Sequence, residues 1–329
     1  MDKRKIILDV DTGTDDAMAI IMAALSPDIE LKAITCTHGN LPLPNTVDNT
    51  LRVVEMLGID VPVYSGCAEP MAQWLRPGRV MNPRRQHQVD SDGRVSMIHE
   101  EHLPLPEPTI RAEEKHAVSF LVDTFRKEKL TLVAVGPATN VAMALRMDPS
   151  IADNIEELVV MGGGVHCSNA TQSAEFNFYL DPEAAEIMMR ANCKITVFPL
   201  DATTSALFSI KDGEDIKAVG TEPAEFFGDL VIDFCRRMEA IRLSNTDDPN
   251  QFECAIHDAL CILYLIDPKI ATDLRRQSAF VDFSGGYADG ALLVDTRSYM
   301  ELMGETYIAY KADKQRIKDL IIEILSGNA

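Results

Sequence analysis

Four carboxylates fall within the eight residues Asp9-Val10-Asp11-Thr12-Gly13-Thr14-Asp15-Asp16, directly behind a short apolar run. Carboxylates packed that closely repel one another and take up protons, whereas a bound divalent cation keeps them ionised. The structural alternative is an ordinary helix start. Thr14 would serve as N-cap and first-turn acids are stabilised by the macrodipole, which covers Asp15 and Asp16 but leaves Asp9 and Asp11 unexplained. The donors are hard oxygens with no His or Cys nearby, a set that favours calcium or magnesium over zinc. An EF-hand does not fit, because Gly13 falls where an oxygen ligand belongs and a strand rather than a helix precedes the loop.

Three further polar groups stand out against apolar surroundings: Asn40 after His38-Gly39, the set Asn169, Glu175 and Asn177, and the pair His257-Asp258. Acids with a hard metal suit the activation of water, amides and acids suit a polyol such as ribose, and an imidazole suits proton donation to a leaving group. Composed together, these groups point to hydrolysis of a glycosidic bond. The plainer account of His257-Asp258 is a capping Asp beside a chance His. Asp181, followed by Pro182, reads as a helix cap rather than a catalyst.

The elements that must position these groups follow a β-α rhythm. Residues 5–8 read as a buried strand and 17–25 as a buried helix, so the acids lie at a strand-to-helix turn. A strand over 31–37 runs into His38-Gly39-Asn40, a helix covers 46–57, and a short strand covers 62–64. Such a βαβαβ pattern implies a parallel sheet with right-handed crossovers, whose ligands bind at the carboxyl ends of the strands. The pattern resumes with a helix over 113–127, strands over 130–135, 157–161 and 194–198, helices over 210–244 and 255–266, strands near 279–283, 291–294 and 306–310, and a helix over 312–325. Residues 67–109 interrupt it with Pro, Gly, Trp74 and the basic group Arg76, Arg79, Arg84 and Arg85; a loop of that length after a strand end predicts a lid. The stretch 165–180 is too rich in amides and acid to read as core.

The expected fold class is α/β, with an open, mostly parallel central sheet flanked by helices. No Ser/Gly-rich or Pro-rich linker divides the 329 residues, so a single domain over 1–329 is expected. Thirty-one basic against fifty-one acidic residues give a net charge of −20, which opposes nucleic acid and anionic membranes as partners. A small molecule fits better. No long apolar segment follows the N-terminus, and the seven cysteines are scattered without a C-x-x-C pair, as in a cytoplasmic protein with reduced thiols.

The ordered set Asp9-Val10-Asp11-Thr12-Gly13-Thr14-Asp15-Asp16, Gly39-Asn40, Gly136-Pro137-Ala138-Thr139-Asn140, Met161-Gly162-Gly163-Gly164, Asn169, Glu175-Phe176-Asn177, Asp181-Pro182-Glu183-Ala184-Ala185 and His257-Asp258 resembles the inosine-uridine preferring nucleoside hydrolases over nearly the whole chain. The resemblance implies a Rossmann-like fold and calcium-dependent hydrolysis of ribonucleosides to free base and ribose. It implies Asp11, Asp16, Asp258 and the Val135 carbonyl as calcium ligands, with Asp11 also the general base on a calcium-bound water. Asp15, Asn40, Asn169, Glu175, Asn177 and Asp258 correspond to the ribose-holding shell, and His257 to the acid that protonates the departing base. A homodimer or homotetramer is implied as well.

The chain also departs from that pattern. Familiar members carry a His and a Gly-rich turn after the third strand, whereas this loop is longer and reads His87-Gln88-Val89-Asp90-Ser91-Asp92-Gly93, so the corresponding His is displaced to His87 or absent. Tyrosines expected over the base are replaced by Phe234, Cys235, Glu239 and Arg242, which leaves Trp74 or Phe252 to stack on it. Two other readings compete. A haloacid-dehalogenase-like phosphatase also begins with D-x-D, but wants Thr where Gly13 stands, and a nucleoside-binding relative would bind without turnover.

Overall fold

Apolar side chains alternate along the first strand: Ile6, Leu8 and Val10 join one hydrophobic core, while Ile7 points into a second. Period-two alternation with both faces apolar is what a strand buried between two helical layers requires. The computed structural model describes residues 3–75, 88–89, 95–96, 98–241 and 252–327. The order begins β1 (Arg4–Val10), α1 (Thr14–Leu25), β2 (Ile29–Cys36), α2 (Leu43–Met56) and β3 (Val63–Ser65), followed by the short pair β4 (Gln88–Val89) and β5 (Val95–Ser96). It continues with α3 (Ala117–Phe125), β6 (Leu130–Ala134), α4 (Thr139–Met147), β7 (Ile155–Met161), α5 (Phe176–Leu180), α6 (Pro182–Met189), β8 (Lys194–Phe198), α7 (Leu200–Thr203) and β9 (Phe208–Ser209). The last part is α8 (Ile210–Lys217), α9 (Glu222–Ile241), β10 (Glu253–Cys254), α10 (Ala259–Ile266), β11 (Ala271–Arg276), β12 (Ala279–Val281), β13 (Leu292–Val294), β14 (Glu305–Ala312) and α11 (Lys314–Leu325).

Eight strands form one sheet in the order β11-β14-β8-β7-β6-β1-β2-β3. Neighbours are parallel except for β11 against β14, so the sheet is mixed and mostly parallel, as the α/β reading expects. The chain lays β2 and β3 outward on one side of β1, then returns to build β6, β7 and β8 on the other. The strand order therefore reverses between β1 and β6, the place where open α/β sheets leave a crevice at their carboxyl ends. Strand β11 was not expected. Its sequence ATDLRR carries charge at Asp273, Arg275 and Arg276, which a sheet edge tolerates and an apolar-run criterion misses.

Helices α1, α2, α8, α9, α10 and α11 cover one face, and α3, α4 and α6 with the β12–β13 pair cover the other. Helices α1 and α10 pack against each other. Past the acidic first turn of α1 both are apolar around their whole circumference, and they are buried from Thr14 to Ala23 and from Ala259 to Leu265. Truncating one of their larger side chains, such as Leu263→Ala, would cost about 2–5 kcal/mol.

The segment after β3 is fastened to α2 over its second half. The Leu103 amide donates to Asn49 Oδ1 (2.8 Å) and the Thr109 amide to Glu55 Oε2 (2.7 Å). Arg76, Arg79, Arg84, Arg85 and His87 lie outside the described residues. The stretch over 165–180 divides in two, because Ala174 to Leu180 are buried, with Phe176 and Phe178 packed inside. Among the described residues, no helix is long and apolar enough to cross a membrane.

Candidate active site

Strand β1 extends two residues beyond the expected boundary, so Asp9 lies within the sheet rather than in the turn. It is fully buried, accepts from Thr35 Oγ1 (2.5 Å) and Asn140 Nδ2 (2.8 Å), and burial pushes its carboxyl up to about 7. Asn140 also donates to the Cys36 carbonyl (3.0 Å) and accepts from the Cys67 amide (2.8 Å). Asp9 and Asn140 thus hold the ends of β1 and β2 and the start of α4 in one cluster. A D-x-D phosphatase needs its first Asp free for the substrate, whereas Asp9 lies within the sheet and is engaged by Thr35 and Asn140.

Asp11 sits above, wedged between two glycines. A Cβ on Gly39 would lie 2.0 Å from Asp11 Oδ2, and one on Gly136 2.7 Å from Oδ1, so any side chain at either strand exit would displace the carboxylate. Its Oδ2 accepts the Asn40 amide (2.6 Å), while Oδ1 is buried with no hydrogen-bond partner among the described residues. Asp16 accepts the Asp11 amide (3.0 Å) and the Gly13 amide (2.9 Å), and Asn40 Nδ2 lies 3.3 Å from it. The N-cap of α1 is Gly13, one residue before the expected Thr14, and Asp16 reaches back to its amide.

Asp258 occupies the N-cap position of α10 but makes no side-chain cap bond. Its carboxylate instead joins Asp15 and Asp16, all three buried, with ligand oxygens within 4.8 Å of one another. Burial, followed by the charges of Asp15, Asp16 and Asp11, pushes the Asp258 carboxyl well above the ordinary range. Burial and the neighbouring Asp16 do the same to Asp11, and burial raises Asp16. Two helix N-termini contribute some positive potential, but a divalent cation is the partner that satisfies this many hard oxygens. The donor set and the unpaired Asp11 Oδ1 fit such an ion.

Asn177 is buried and donates to the Val135 carbonyl (2.7 Å), one of the expected ligand positions; the second lone pair of that oxygen is a further acceptor site. Glu175 caps α5, accepting from the amides of Asn177 (2.9 Å), Phe178 (3.2 Å) and Gly163 (2.9 Å). Asn169 is exposed, and its Oδ1 accepts the Phe176 amide (2.9 Å). His257 lies one residue from Asp258, and its Nδ1 is 2.8 Å from Thr203 Oγ1. Asp181 is the cap it was read as, accepting from Ala184 (3.2 Å), Met71 (2.9 Å) and Thr139 Oγ1 (2.6 Å).

His99, which the sequence did not single out, reaches the acidic turn in the fold. The Thr14 amide donates to its Nδ1 (3.1 Å), the ring is buried, and a Cβ on Gly13 would lie 2.5 Å from that nitrogen. Its one sequence signal was Ile98-His99 ahead of an apolar Leu-Pro-Leu-Pro stretch, too weak to separate it from the other loop histidines. Phe234 lies beside it, with ring centroids 6.0 Å apart. Trp74 packs edge-on to His38 (6.1 Å), Phe252 is buried, and Cys235 is 3.5 Å from Cys254, sulfur to sulfur. The Glu239 side chain and Arg242 lie outside the described residues.

A family model described as inosine-uridine preferring nucleoside hydrolase matches residues 6–319. The inosine-uridine preferring nucleoside hydrolase of Leishmania major is 34% identical over 326 residues, covering 98% of this chain and 97% of the relative. The pyrimidine-specific ribonucleoside hydrolase RihB of Escherichia coli (strain SE11) is 33% identical over 332 residues, covering 99% and 98%. The solved structure of a purine-preferring ribonucleoside hydrolase from Gardnerella vaginalis superposes with a TM-score of 0.85 at 28% identity, over 99% of each chain. A carboxylate cluster at the switch point of an α/β sheet, with matches of this extent, makes the chain a member of the inosine-uridine preferring nucleoside hydrolase family, a family of N-glycosidases.

Proposed function

We propose that this enzyme hydrolyses the N-glycosidic bond of ribonucleosides to free base and ribose in a calcium-dependent reaction. The observation that carries the reading is Asp258: it stands where a helix cap belongs, caps nothing, and faces two other buried carboxylates. Asp11, Asp16, Asp258 and the Val135 carbonyl would hold the ion, with Asp15 beside them. When bound, calcium neutralises the carboxylates and supplies a Lewis acid for the ribose hydroxyls and water.

The residues of the chain then divide the work. Asp11 takes a proton from the attacking water as its oxygen bonds to the anomeric carbon and the bond to the base nitrogen breaks. Asp15, Glu175 and Asp258, with Asn40, Asn169 and Asn177, hold the ribose hydroxyls, and the carboxylates stabilise positive charge developing on the ring. His257 protonates the departing base, a poor leaving group as an anion. Water displaces the base directly, with no covalent intermediate on the enzyme.

Relatives of nearly equal identity carry the names inosine-uridine preferring and pyrimidine-specific, and a structural neighbour is purine-preferring, so similarity assigns no base. The test is release of free ribose from a panel of purine, pyrimidine and modified ribonucleosides, with p-nitrophenyl riboside as activated control. Turnover that exhaustive chelation abolishes and calcium restores is expected, and Asp11→Ala should lower it by about 10²–10⁴-fold with the fold intact. No release from any riboside by the folded, calcium-supplied protein would overturn the reading.

A further inference from the structure

We propose that Asn177 is a positioning residue for the cation, holding the Val135 carbonyl as a ligand and setting the affinity of the site for calcium. This rests on the reading of Asp11, Asp16, Asp258 and the Val135 carbonyl as the calcium site. Asn177 Nδ2 donates to the Val135 carbonyl (2.7 Å), and it also lies 3.3 Å from the Met161 carbonyl and 3.5 Å from Met161 Sδ. An amide nitrogen has two protons, so both are spent on the protein. The reverse orientation of the amide would set Oδ1 against two carbonyl oxygens with no proton between them, which fixes the assignment. Any ribose hydroxyl that Asn177 holds must therefore donate to Oδ1.

Val135 follows β6 directly, and its own amide donates to the Asp9 carbonyl (2.9 Å). The next residue, Gly136, passes so close to Asp11 that a Cβ there would lie 2.7 Å from Oδ1, the buried oxygen without a partner. The Val135–Gly136 peptide thus runs beside the acidic cluster, and a donor on one lone pair of its carbonyl leaves the other for a cation. Met161 ends β7, the parallel neighbour of β6, so a single side chain ties together the exits of two adjacent strands. Asn177 is itself held in place. It is 6% exposed, and its amide donates to Glu175 Oε1 (2.9 Å), the cap of α5. A group that orients a metal ligand in this way is worth about 10–100-fold in metal affinity.

The test measures calcium affinity by calorimetry, apart from turnover, in the wild type, Asn177→Leu and Asn169→Ala. Leucine nearly matches asparagine in shape and offers no donor. Asn177→Leu should weaken calcium binding by about 10–100-fold, whereas Asn169→Ala, whose side chain bonds the Phe176 amide instead of a strand exit, should change it by less than about 2-fold. Where Asn177→Leu does not fold, Asn177→Ala removes the same donor without bulk and should show the same loss. The ligand itself is read by NMR: carbonyl carbon-13 in valine with nitrogen-15 in glycine leaves signals from Val135–Gly136 and Val219–Gly220 only, and Val219→Ile identifies the second. Calcium should move the Val135 carbonyl signal in the wild type, and in Asn177→Leu only at correspondingly higher concentration. A merely structural asparagine would lower the melting temperature and leave the calcium affinity of the folded protein as it was. An affinity in the folded Asn177 variant within about 2-fold of the wild type, or a Val135 carbonyl that calcium does not move, overturns this inference and leaves the calcium-dependent hydrolase standing. A wild type that binds no calcium overturns both.

Discussion

Helices α1 and α10 lie side by side, and each opens on the acidic cluster with a buried aspartate, yet the two carboxylates are used differently. Asp16 accepts two backbone amides, those of Asp11 and Gly13, and so closes the turn that feeds its own helix. Asp258 accepts none as a cap, and it is pushed toward protonation by burial and by three neighbouring aspartates. The first is part of the fold as well as part of the site. The second costs the fold something that the proposed cation would offset. Position at a helix start therefore does not separate a cap from a ligand; the partner of the side chain does.

The largest test of that difference is a pair of truncations. Asp16→Ala and Asp258→Ala should each lower kcat/KM by at least about 10²-fold, since both carboxylates belong to the proposed charge cluster. Their stabilities should part. Without calcium, Asp16→Ala should lose about 2 kcal/mol because two buried amides lose their acceptor, whereas Asp258→Ala should be no less stable than the wild type. Denaturant unfolding in chelator measures both, and equal destabilisation would erase the distinction between the helices.

Next in size is the response to pH. Asp9, Asp11, Asp16 and Asp258 all have raised carboxyls in the folded chain, so between the ordinary aspartate value and the raised one the native state holds more protons than the unfolded state. Stability without a cation must then fall as pH rises through that window, which for Asp9 runs from 3.8 to about 7. The expected loss from about pH 5 to about pH 8 is of order a few kcal/mol, and saturating calcium should recover about 2–3 kcal/mol at the upper end. Melting curves across pH, with and without calcium, check it. A melting temperature independent of pH in chelator would mean that the cluster is not under the strain its burial implies.

How much of this was legible in the sequence follows the same division. The parallel strands were readable because both faces are apolar, and the acidic turn because four carboxylates crowd one strand end. The His257-Asp258 pair was visible, but whether Asp258 caps its helix depends on where the carboxylate points, which spacing does not say. Edge strand β11 was invisible because solvent replaces half of its hydrophobic requirement. His99 escaped because it reaches Thr14 from eighty-five positions away, and contacts of that range leave no local periodicity.

The smallest effect calibrates the comparison. Asp313 is an ordinary cap: it precedes α11, and its side chain accepts the Arg316 amide (3.1 Å). Asp313→Ala should cost about 1 kcal/mol, insensitive to calcium, with kcat unchanged. Asp16→Ala should exceed that cost because it strands two amides rather than one, and Asp258→Ala should fall below it because it strands none. If Asp258→Ala instead matched Asp313→Ala in chelator, Asp258 would be capping α10 in solution, and the charge cluster would lose the member that sets it apart from a pair of helix starts.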